Sequence, residues 1–353
     1  MKIDAKILIC YNSPVSIFSA YNGKPAVHGE MSNDLSESGF AADLQTIVQS
    51  LSGRFTEVET LAIDMDVVKT LKLIRDINPT IIFNFVESVE GIASFEYCMA
   101  GIFELLGIEF TGNRPSSLGN CLNKYRTKNI LRACGINTPR SYCIEYGSMP
   151  AKKSFDLNFP VILKLNSEDA SIGISELSVV KNYSGVIERL KFLFETYKQN
   201  VIVEEYIDGR ELNVAILGGR ALPISEIGFG SLPAHLPRIV TYEGKWIANT
   251  VYYEHTKPQC PATLPAKVKK QVVTTALAAF EAMNCRDYAR VDIRLDKSGT
   301  PYVIEVNPNP DISTDSGFAR AAKAAGLSYG DLLFTIANLA LTRRINDTQN
   351  KAS

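Results

Sequence analysis

Charged side chains alternate with apolar ones across residues 287–313. Arg290 and Asp292 are two residues apart in YARVDIRLD, and the same spacing separates Glu305 from Asn307 in YVIEVN. Because side chains two apart on a strand share a face, each pair should project together. The linker DKSG has turn chemistry, which predicts an antiparallel hairpin. Two carboxylates, an amide and a guanidinium would then converge.

These side chains indicate a site for a metal ion and a phosphate group. Carboxylate and amide oxygens suit a hard cation such as Mg2+, with Mn2+ as an alternative, and an arginine beside the cation suits a phosphoryl group. We therefore predict Asp292, Glu305 and Asn307 as metal ligands. The segment PNP (308–310) should end the second strand abruptly. A surface hairpin with solvated charges is the alternative, although buried unpaired carboxylates would be costly.

A second charge-bearing strand is VILKL, which contains Lys164. A buried ammonium needs an anion, and the loop that follows (167–173) offers backbone N–H groups and the hydroxyl of Ser171 to a phosphate. The apolar strand NVIVEEYI (200–207) ends in Glu204 and Glu205. Adjacent residues face opposite ways, so at most one of these glutamates shares a cleft with the lysine. The alternatives are a lysine that reaches solvent from the strand end and ordinary surface acids.

The arrangement of strand and helix patterns predicts the fold class. A chain of 353 residues should form two or three domains. Its first 110 residues alternate strand and helix patterns, which argues for an open, mostly parallel α/β sheet. Ligands of such sheets lie at the carboxyl ends of strands, so Glu87, just after TIIFNFV, is a candidate substrate residue, with a solvated loop as the alternative. We also expect a strand at 177–180 and a polar, frayed tail after Arg344.

The composition excludes several functional classes. The net charge of −1 does not indicate a nucleic-acid partner. The first apolar run reads as a strand rather than a signal peptide, and no stretch approaches the length of a transmembrane helix, so we expect a cytoplasmic protein without a membrane partner. The seven cysteines include no C-x-x-C pair, which predicts reduced thiols rather than disulfides or a zinc site.

Together these segments resemble the ATP-grasp superfamily, and within it the D-alanine–D-alanine ligase-like branch. The resemblance covers roughly residues 80–341. Its most specific pieces are FELLGIEFTGN (103–113), NKYRTKNILRACGINTPR (123–140), PVILKLNSEDASIGIS (160–175), VIVEEYIDGRELNVAILG (201–218) and the stretch at 287–313. The resemblance implies an N-terminal α/β domain (1–112) and two α+β subdomains (113–209 and 210–345) that grip ATP between two sheets, followed by a polar tail (346–353).

The resemblance also implies residue roles. Lys124 and Lys164 would hold the phosphates, and Glu204 would accept from the adenine amine. Glu205 and Ile207 would contact adenine through their backbone, and Glu211 would bind the ribose. With the loop serine, the candidate ATP contacts are Lys124, Lys164, Ser171, Glu204, Glu205, Ile207 and Glu211. Lys245, in YEGKW, resembles a phosphate-contacting lysine of a mobile loop. Arg290 matches an arginine that stabilises the acyl phosphate and the tetrahedral intermediate.

The activity implied by the resemblance is a two-step ligation of a small-molecule carboxylate and an amine. The carboxylate attacks the γ-phosphate to give an acyl phosphate and ADP, and the amine then displaces phosphate to give an amide. The family also implies a homodimer. A non-catalytic ATP-binding protein on the same fold and a carboxylate kinase are the alternatives.

Departures from the family pattern fall on the residues that hold D-alanine. The segment CYNSPVSIF (10–18) lacks the family's glutamate, and SVEGIASFEY replaces a glycine-rich loop. A serine–tyrosine pair falls on Ala170 and Trp246, and a glycine becomes Asp311. We therefore expect substrates other than D-alanine, with a true D-alanine–D-alanine ligase as the alternative.

Asp311 lies where the resemblance places acyl transfer, and Ser313 is a further candidate substrate residue. A carboxylate there would favour a cationic or amine-bearing acceptor, or assist its deprotonation. The alternative is that Asp311 caps the following turn or a helix at 312–318.

Overall fold

A three-stranded parallel sheet forms the N-terminal part of the protein. The computed structural model describes residues 2–25, 34–35 and 40–352, without the side chains of 41–42 and 347–352. The strands, in the spatial order β2-β1-β3, are β1 (Ile3–Asn12), β2 (Phe55–Ile63) and β3 (Ile81–Phe85). The helices of this part are α1 (Phe40–Ser52), α2 (Val67–Ile77) and α3 (Phe95–Leu105). The predicted open parallel sheet is confirmed.

A four-stranded antiparallel sheet forms the central part. Its spatial order is β4-β7-β5-β6, with β4 (Ser141–Ile144), β5 (Val161–Leu165), β6 (Val179–Val180) and β7 (Val201–Glu205). Its helices are α4 (Pro115–Leu122), α5 (Lys124–Ala133) and α6 (Tyr183–Tyr197). The apolar face of α6 packs on β5 and β7 through buried Val186, Leu190 and Leu193. This i, i+4, i+7 spacing is that of an amphipathic helix.

A third sheet of six strands carries the charged hairpin. The order is β11-β10-β8-β12-β13, and β9 pairs with β8. The strands are β8 (Gly209–Leu217), β9 (Arg220–Ala221), β10 (Ser225–Gly228), β11 (Lys257–Gln259), β12 (Tyr288–Asp296) and β13 (Pro301–Asn307). The helices are α7 (Tyr242–Trp246), α8 (Val251–His255), α9 (Ala266–Ala282), α10 (Gly317–Ala324) and α11 (Tyr329–Ala352). A Cβ at Gly209 would lie 2.0 Å from the Leu295 carbonyl oxygen, so β8 needs glycine to begin beside β12.

The last helix ties the third part of the chain to the N-terminal sheet. Leu332, Leu333 and Ile336 of α11 are buried in one cluster with Ile7 and Phe83. Burial of each such side chain contributes roughly 1.5–3 kcal/mol. In the described part of the chain no single helix is long and apolar enough to cross a membrane, although the bent pair α10 and α11 passes that test together.

The expected strand at 177–180 is mostly a turn. Residues Glu176–Ser178 form a 3-10 helix, and only Val179–Val180 remain as a strand. The cause is a reciprocal cap. The Ser178 hydroxyl accepts from the Ser175 amide at 3.1 Å, and the Ser175 hydroxyl accepts from the Leu177 amide at 3.3 Å.

The expectation of a frayed tail was wrong. The tail after Arg344 is helical to Ala352, with Ser353 outside the described residues. Since no glycine or proline interrupts this segment, nothing in its sequence ends the helix. The helix that the capping alternative allowed at 312–318 begins only at Gly317, because Ser316 is its N-cap and accepts from the Ala319 amide at 3.1 Å.

Candidate active site

The β12–β13 hairpin brings its polar side chains together as predicted. Asp292 pairs with Glu305 and Arg290 with Asn307 across the two strands. Arg290 donates from Nε and Nη2 to the two oxygens of Asp292, each at 2.8 Å. Asn307 and Asn213 donate to the same carboxylate at 3.0 and 2.7 Å. This carboxylate is therefore held by a bidentate arginine and two amides at the floor of a cleft.

Asp292, Glu305 and Asn307 fit a divalent cation by their chemistry. They present carboxylate and amide oxygens from paired positions, which is the donor set that Mg2+ and Mn2+ prefer. Burial alone would raise the pKa of Glu305, but the charge of Lys124 and further cations outweigh it and hold that pKa below its usual range. The carboxylate is thus ionised. Among the described residues no group of three or more His, Cys, Asp or Glu side chains could hold a metal, so the candidate set depends on the asparagine.

Lys124 joins the loop after β5 to the hairpin. Its Nζ lies 3.1 Å from an oxygen of Asp169 and 3.1 Å from an oxygen of Glu305, and it also donates to the Glu168 carbonyl. Burial alone would lower the pKa of Lys124, but these carboxylates raise it above its usual range. Lys124 therefore stays charged at the junction of the second and third sheets.

Lys164 ends in a buried ion-pair network. Glu204 is only 1% exposed, and its two oxygens lie 2.5 Å from Lys164 Nζ and 2.7 Å from Lys128 Nζ. Sequence reasoning missed Lys128. The available signal was its i+4 spacing from Lys124, which places both lysines on one face of α5. Of the adjacent glutamates, only Glu204 shares the interior with Lys164, as strand alternation requires.

Glu205 and Glu211 have different surroundings. Glu205 accepts from the Asn158 backbone and side chain at 2.9 and 2.8 Å, away from the two lysines that pair with Glu204. Glu211 accepts from Arg294 Nη1 at 3.0 Å.

Arg294 links the second and third sheets, and sequence reasoning assigned it no role. It donates to the Glu211 carboxylate and, from Nε, to the Ile207 carbonyl at 3.0 Å. Burial is the main cause that raises the pKa of Glu211, and Arg294 opposes it. The residues predicted to bind adenine and ribose are therefore connected by one buried arginine.

Lys245 contributes a cation to the wall of the cavity. It lies in α7, and its ammonium makes no hydrogen bond or ion pair with another described residue. Burial and the nearby charge of Arg290 lower its pKa. On the facing loop, Ser171 donates to the Val240 carbonyl at 3.1 Å and Trp246 to the Ala170 carbonyl at 3.0 Å. An unpaired ammonium in a cavity wall indicates a place for an anion.

All residues predicted from the sequence line one cavity of about 780 Å3, with walls from all three sheets. Glu87, Asp311 and Ser313 lie in its wall. Asp311 accepts from the Ser313 amide at 2.8 Å, so it caps a turn, as the capping alternative stated, but not a helix.

Glu96 is a cavity residue that sequence reasoning missed. It lies in the first turn of α3, is 8% exposed, and accepts from Asn309 Nδ2 at 3.0 Å. Burial raises the pKa of Glu96 to about 8, against the opposing effect of the Asn309 hydrogen bond. The only signal in FEYCMAG was a single acid among residues that are otherwise apolar or small.

This raised pKa predicts how the stability of the ligand-free protein depends on pH. The folded state keeps a proton that the unfolded chain loses near 4.5, so the contribution of Glu96 to folding is complete below 4.5 and is lost as the pH rises through about 8. The slope is at most about 1.4 kcal/mol per pH unit. We expect Glu96→Gln to remove this decline in urea unfolding, whereas Glu104→Gln, exposed on the same helix, leaves it unchanged. Parallel pH profiles for wild type and Glu96→Gln would contradict the shift.

The match to known proteins agrees with this geometry. The family model "D-ala D-ala ligase C-terminus" matches residues 131–338. The chain is 34% identical to D-alanine–D-alanine ligase A of Bacillus cereus over 69% of this chain and 76% of the relative. It is 35% identical to uncharacterized protein y4sG of Sinorhizobium fredii over 74% of this chain and 75% of that protein.

A solved structure shows the same fold along nearly the whole chain. The crystal structure of D-alanine–D-alanine ligase from Bacillus anthracis complexed with ATP superposes with a TM-score of 0.72 and 25% identity, covering 97% of this chain and 99% of that one. The fold and the site thus define an ATP-grasp ligase that forms carbon–nitrogen bonds and releases ADP. Within this class, the chain belongs to the D-alanine–D-alanine ligase family.

Proposed function

We propose that the protein joins a small-molecule carboxylate to an amine through an acyl phosphate, with ATP as the phosphate donor. The observation that carries the proposal is the convergence of Lys124, Lys245 and Arg290 on the carboxylates of one cavity, with Lys245 left for an incoming anion. The alternative is a non-catalytic nucleotide-binding protein. Such a protein would not need an arginine held against a candidate metal ligand, as Arg290 is held against Asp292.

The residues of the chain supply charge and position. Lys124, Lys164 and Lys245 would neutralise the phosphates, and Arg290 would stabilise negative charge on the carbonyl oxygen during acyl transfer. A divalent cation held by Asp292, Glu305 and Asn307 would supply further charge neutralisation. In the first step the carboxylate oxygen bonds to the γ-phosphorus and ADP leaves. In the second, the amine nitrogen bonds to the carbonyl carbon, phosphate leaves, and the amine proton passes to a base or to water.

D-alanine is the first candidate for both substrates. It is supported by relatives that carry the name D-alanine–D-alanine ligase and match about two thirds of this chain. We expect Mg-ATP and D-alanine, without another amine, to give one ADP for each dipeptide under this candidate. ADP release and product mass would be measured together, with the Asp292→Asn variant as the control.

A different pair of substrates is the second candidate, and one contact favours it. The positions of the family's serine–tyrosine pair hold Ala170 and Trp246, which meet through an indole N–H and a backbone carbonyl at 3.0 Å. Neither offers a hydroxyl to a substrate. Under this candidate, D-alanine gives no ADP, and a panel of carboxylates paired with amines gives ADP only for a particular pair. A carboxylate kinase would instead release ADP with a carboxylate in the absence of any amine. Hydroxylamine would then trap the acyl phosphate that it forms.

A further inference from the structure

Glu96 is a buried acid that forms an ion pair with no cation among the described residues. One carboxylate oxygen accepts from Asn309 Nδ2 at 3.0 Å. The other makes no hydrogen bond or ion pair with any residue that the structure describes, although Glu96 lines the cavity. This second oxygen is open to the cavity, where a proton or a cationic ligand would each offset the cost of burying the carboxylate. Protonation removes the negative charge of Glu96, whereas a cationic ligand would allow Glu96 to stay ionised.

Three cations of the active site, Lys124, Lys164 and Arg290, are engaged with other acids. Lys245 is not paired with any described residue and lies near Arg290 and Glu305. Lys124 pairs with Asp169 and Glu305, both at 3.1 Å. Lys164 pairs with Glu204, and Arg290 holds Asp292 with two hydrogen bonds. The charge that acts on Glu96 is that of Asp169, which is negative and disfavours ionisation further. The region around Glu96 is therefore short of positive charge, unlike the region around the hairpin.

The same acid is attached to the segment that carries the reaction. Asn309, which binds Glu96, lies two residues after Asn307 and two before Asp311. Its Oδ1 accepts from the Tyr288 hydroxyl at 3.1 Å, and Tyr288 precedes Arg290 by two residues on β12. The Asn309 side chain thus fixes Glu96 relative to both Arg290 and Asp311. Asp311 adds a second carboxylate to the cavity wall, and its charge acts on Arg290.

From this geometry we propose that Glu96, assisted by Asp311, binds a positively charged group of the amine substrate, so that the acceptor is a basic amino acid or a diamine. The inference rests on the proposed ligase function and deepens its second candidate. One amine of the acceptor reacts as the neutral nucleophile, and the other stays an ammonium or guanidinium against the carboxylates. An arriving cation would favour the ionised form of Glu96 and offset the burial that raises its pKa to about 8.

Matched ligand pairs test the inference without requiring turnover. Binding to the full chain with Mg-ADP would be measured by calorimetry for lysine against norleucine, in both enantiomers, and for 1,4-diaminobutane against 1-aminobutane. Each pair has a chain of similar length and differs by a charged amine. We expect the wild type to bind at least one charged member roughly 10- to 100-fold more tightly than its neutral partner.

Variants of two glutamates on α3 assign the preference to one residue. Glu96→Gln keeps the acceptor for Asn309 and should reduce the preference to about twofold or less, whereas Glu96→Asp should retain part of it. Glu104→Gln, the same substitution on the exposed side of α3, should leave it intact. The proposal is overturned if no charged member binds better than its partner, or if Glu96→Gln keeps the preference.

ADP release separates this inference from the proposed function. Failure to release ADP with any substrate pair, while the charge preference is present, would reject the ligase proposal and leave the Glu96 site. ADP release without a charge preference would reject the Glu96 site and leave the ligase.

Discussion

Asp292→Asn is expected to lower ATP-dependent ADP release by roughly 10²- to 10³-fold. The wild-type carboxylate accepts from Arg290, Asn213 and Asn307, and it is the central predicted metal ligand. An amide cannot pair with Arg290 through two oxygens, and it offers a divalent cation one neutral oxygen in place of a charged carboxylate. Both losses act on the same step, since metal and arginine each stabilise negative charge.

The dependence of ADP release on metal concentration separates the role of a ligand from that of a structural acid. If Asp292 binds the cation, the Mg2+ or Mn2+ concentration that gives half-maximal activity should rise in the variant. Asp296→Asn, on the same strand, is the matched control, because Asp296 caps the hairpin turn through Ser298 and Thr300 rather than lining the cavity. Wild-type activity and metal dependence in Asp292→Asn would remove this residue from the metal site.

Local sequence pattern was sufficient to predict the hairpin. Alternation along a strand fixes which side chains share a face, and the DKSG turn fixes which strands are neighbours. The convergence of Arg290, Asp292, Glu305 and Asn307 follows from these two facts. Local sequence also explains where α2 and α5 begin, since the side chains of their N-cap residues, Asp66 and Asn123, accept from backbone amides of the first turn.

Contacts between distant elements could not be predicted in the same way. Arg294 joins Glu211 to the Ile207 carbonyl, and Lys128 reaches Glu204, only because two sheets and a helix come together in space. No spacing in the sequence expresses that approach. The same holds for Glu96. A single acid in the first turn of a helix is usually a surface residue that the helix dipole stabilises. Its burial here depends on how α3 packs against the segment after β13.

The buried network around Glu204 should dominate the effect of mutation on stability. Burial alone would raise the pKa of Glu204, but Lys128 and Lys164 outweigh it and lower that pKa, so the carboxylate is ionised. Burial lowers the pKa of Lys128, with Glu204 opposing it. Two lysines thus depend on one carboxylate, and its removal leaves positive charge in the interior. Such uncompensated charges cost about 3–5 kcal/mol.

Glu204→Gln is therefore expected to lower the free energy of unfolding of the nucleotide-free protein by about 3–5 kcal/mol, measured by urea denaturation. Glu205→Gln is the matched control: it is the next residue of β7, contacts neither lysine, keeps an oxygen that can accept from Asn158, and should change stability by about 1 kcal/mol or less. Because Lys128 loses its partner in the variant, the double change Glu204→Leu with Lys128→Met should recover part of the loss by removing both charges. Equal unfolding midpoints for Glu204→Gln and Glu205→Gln would show that the two lysines do not require this carboxylate. Recovery in the double variant would place the cost in the unpaired ammonium of Lys128 rather than in the strand itself.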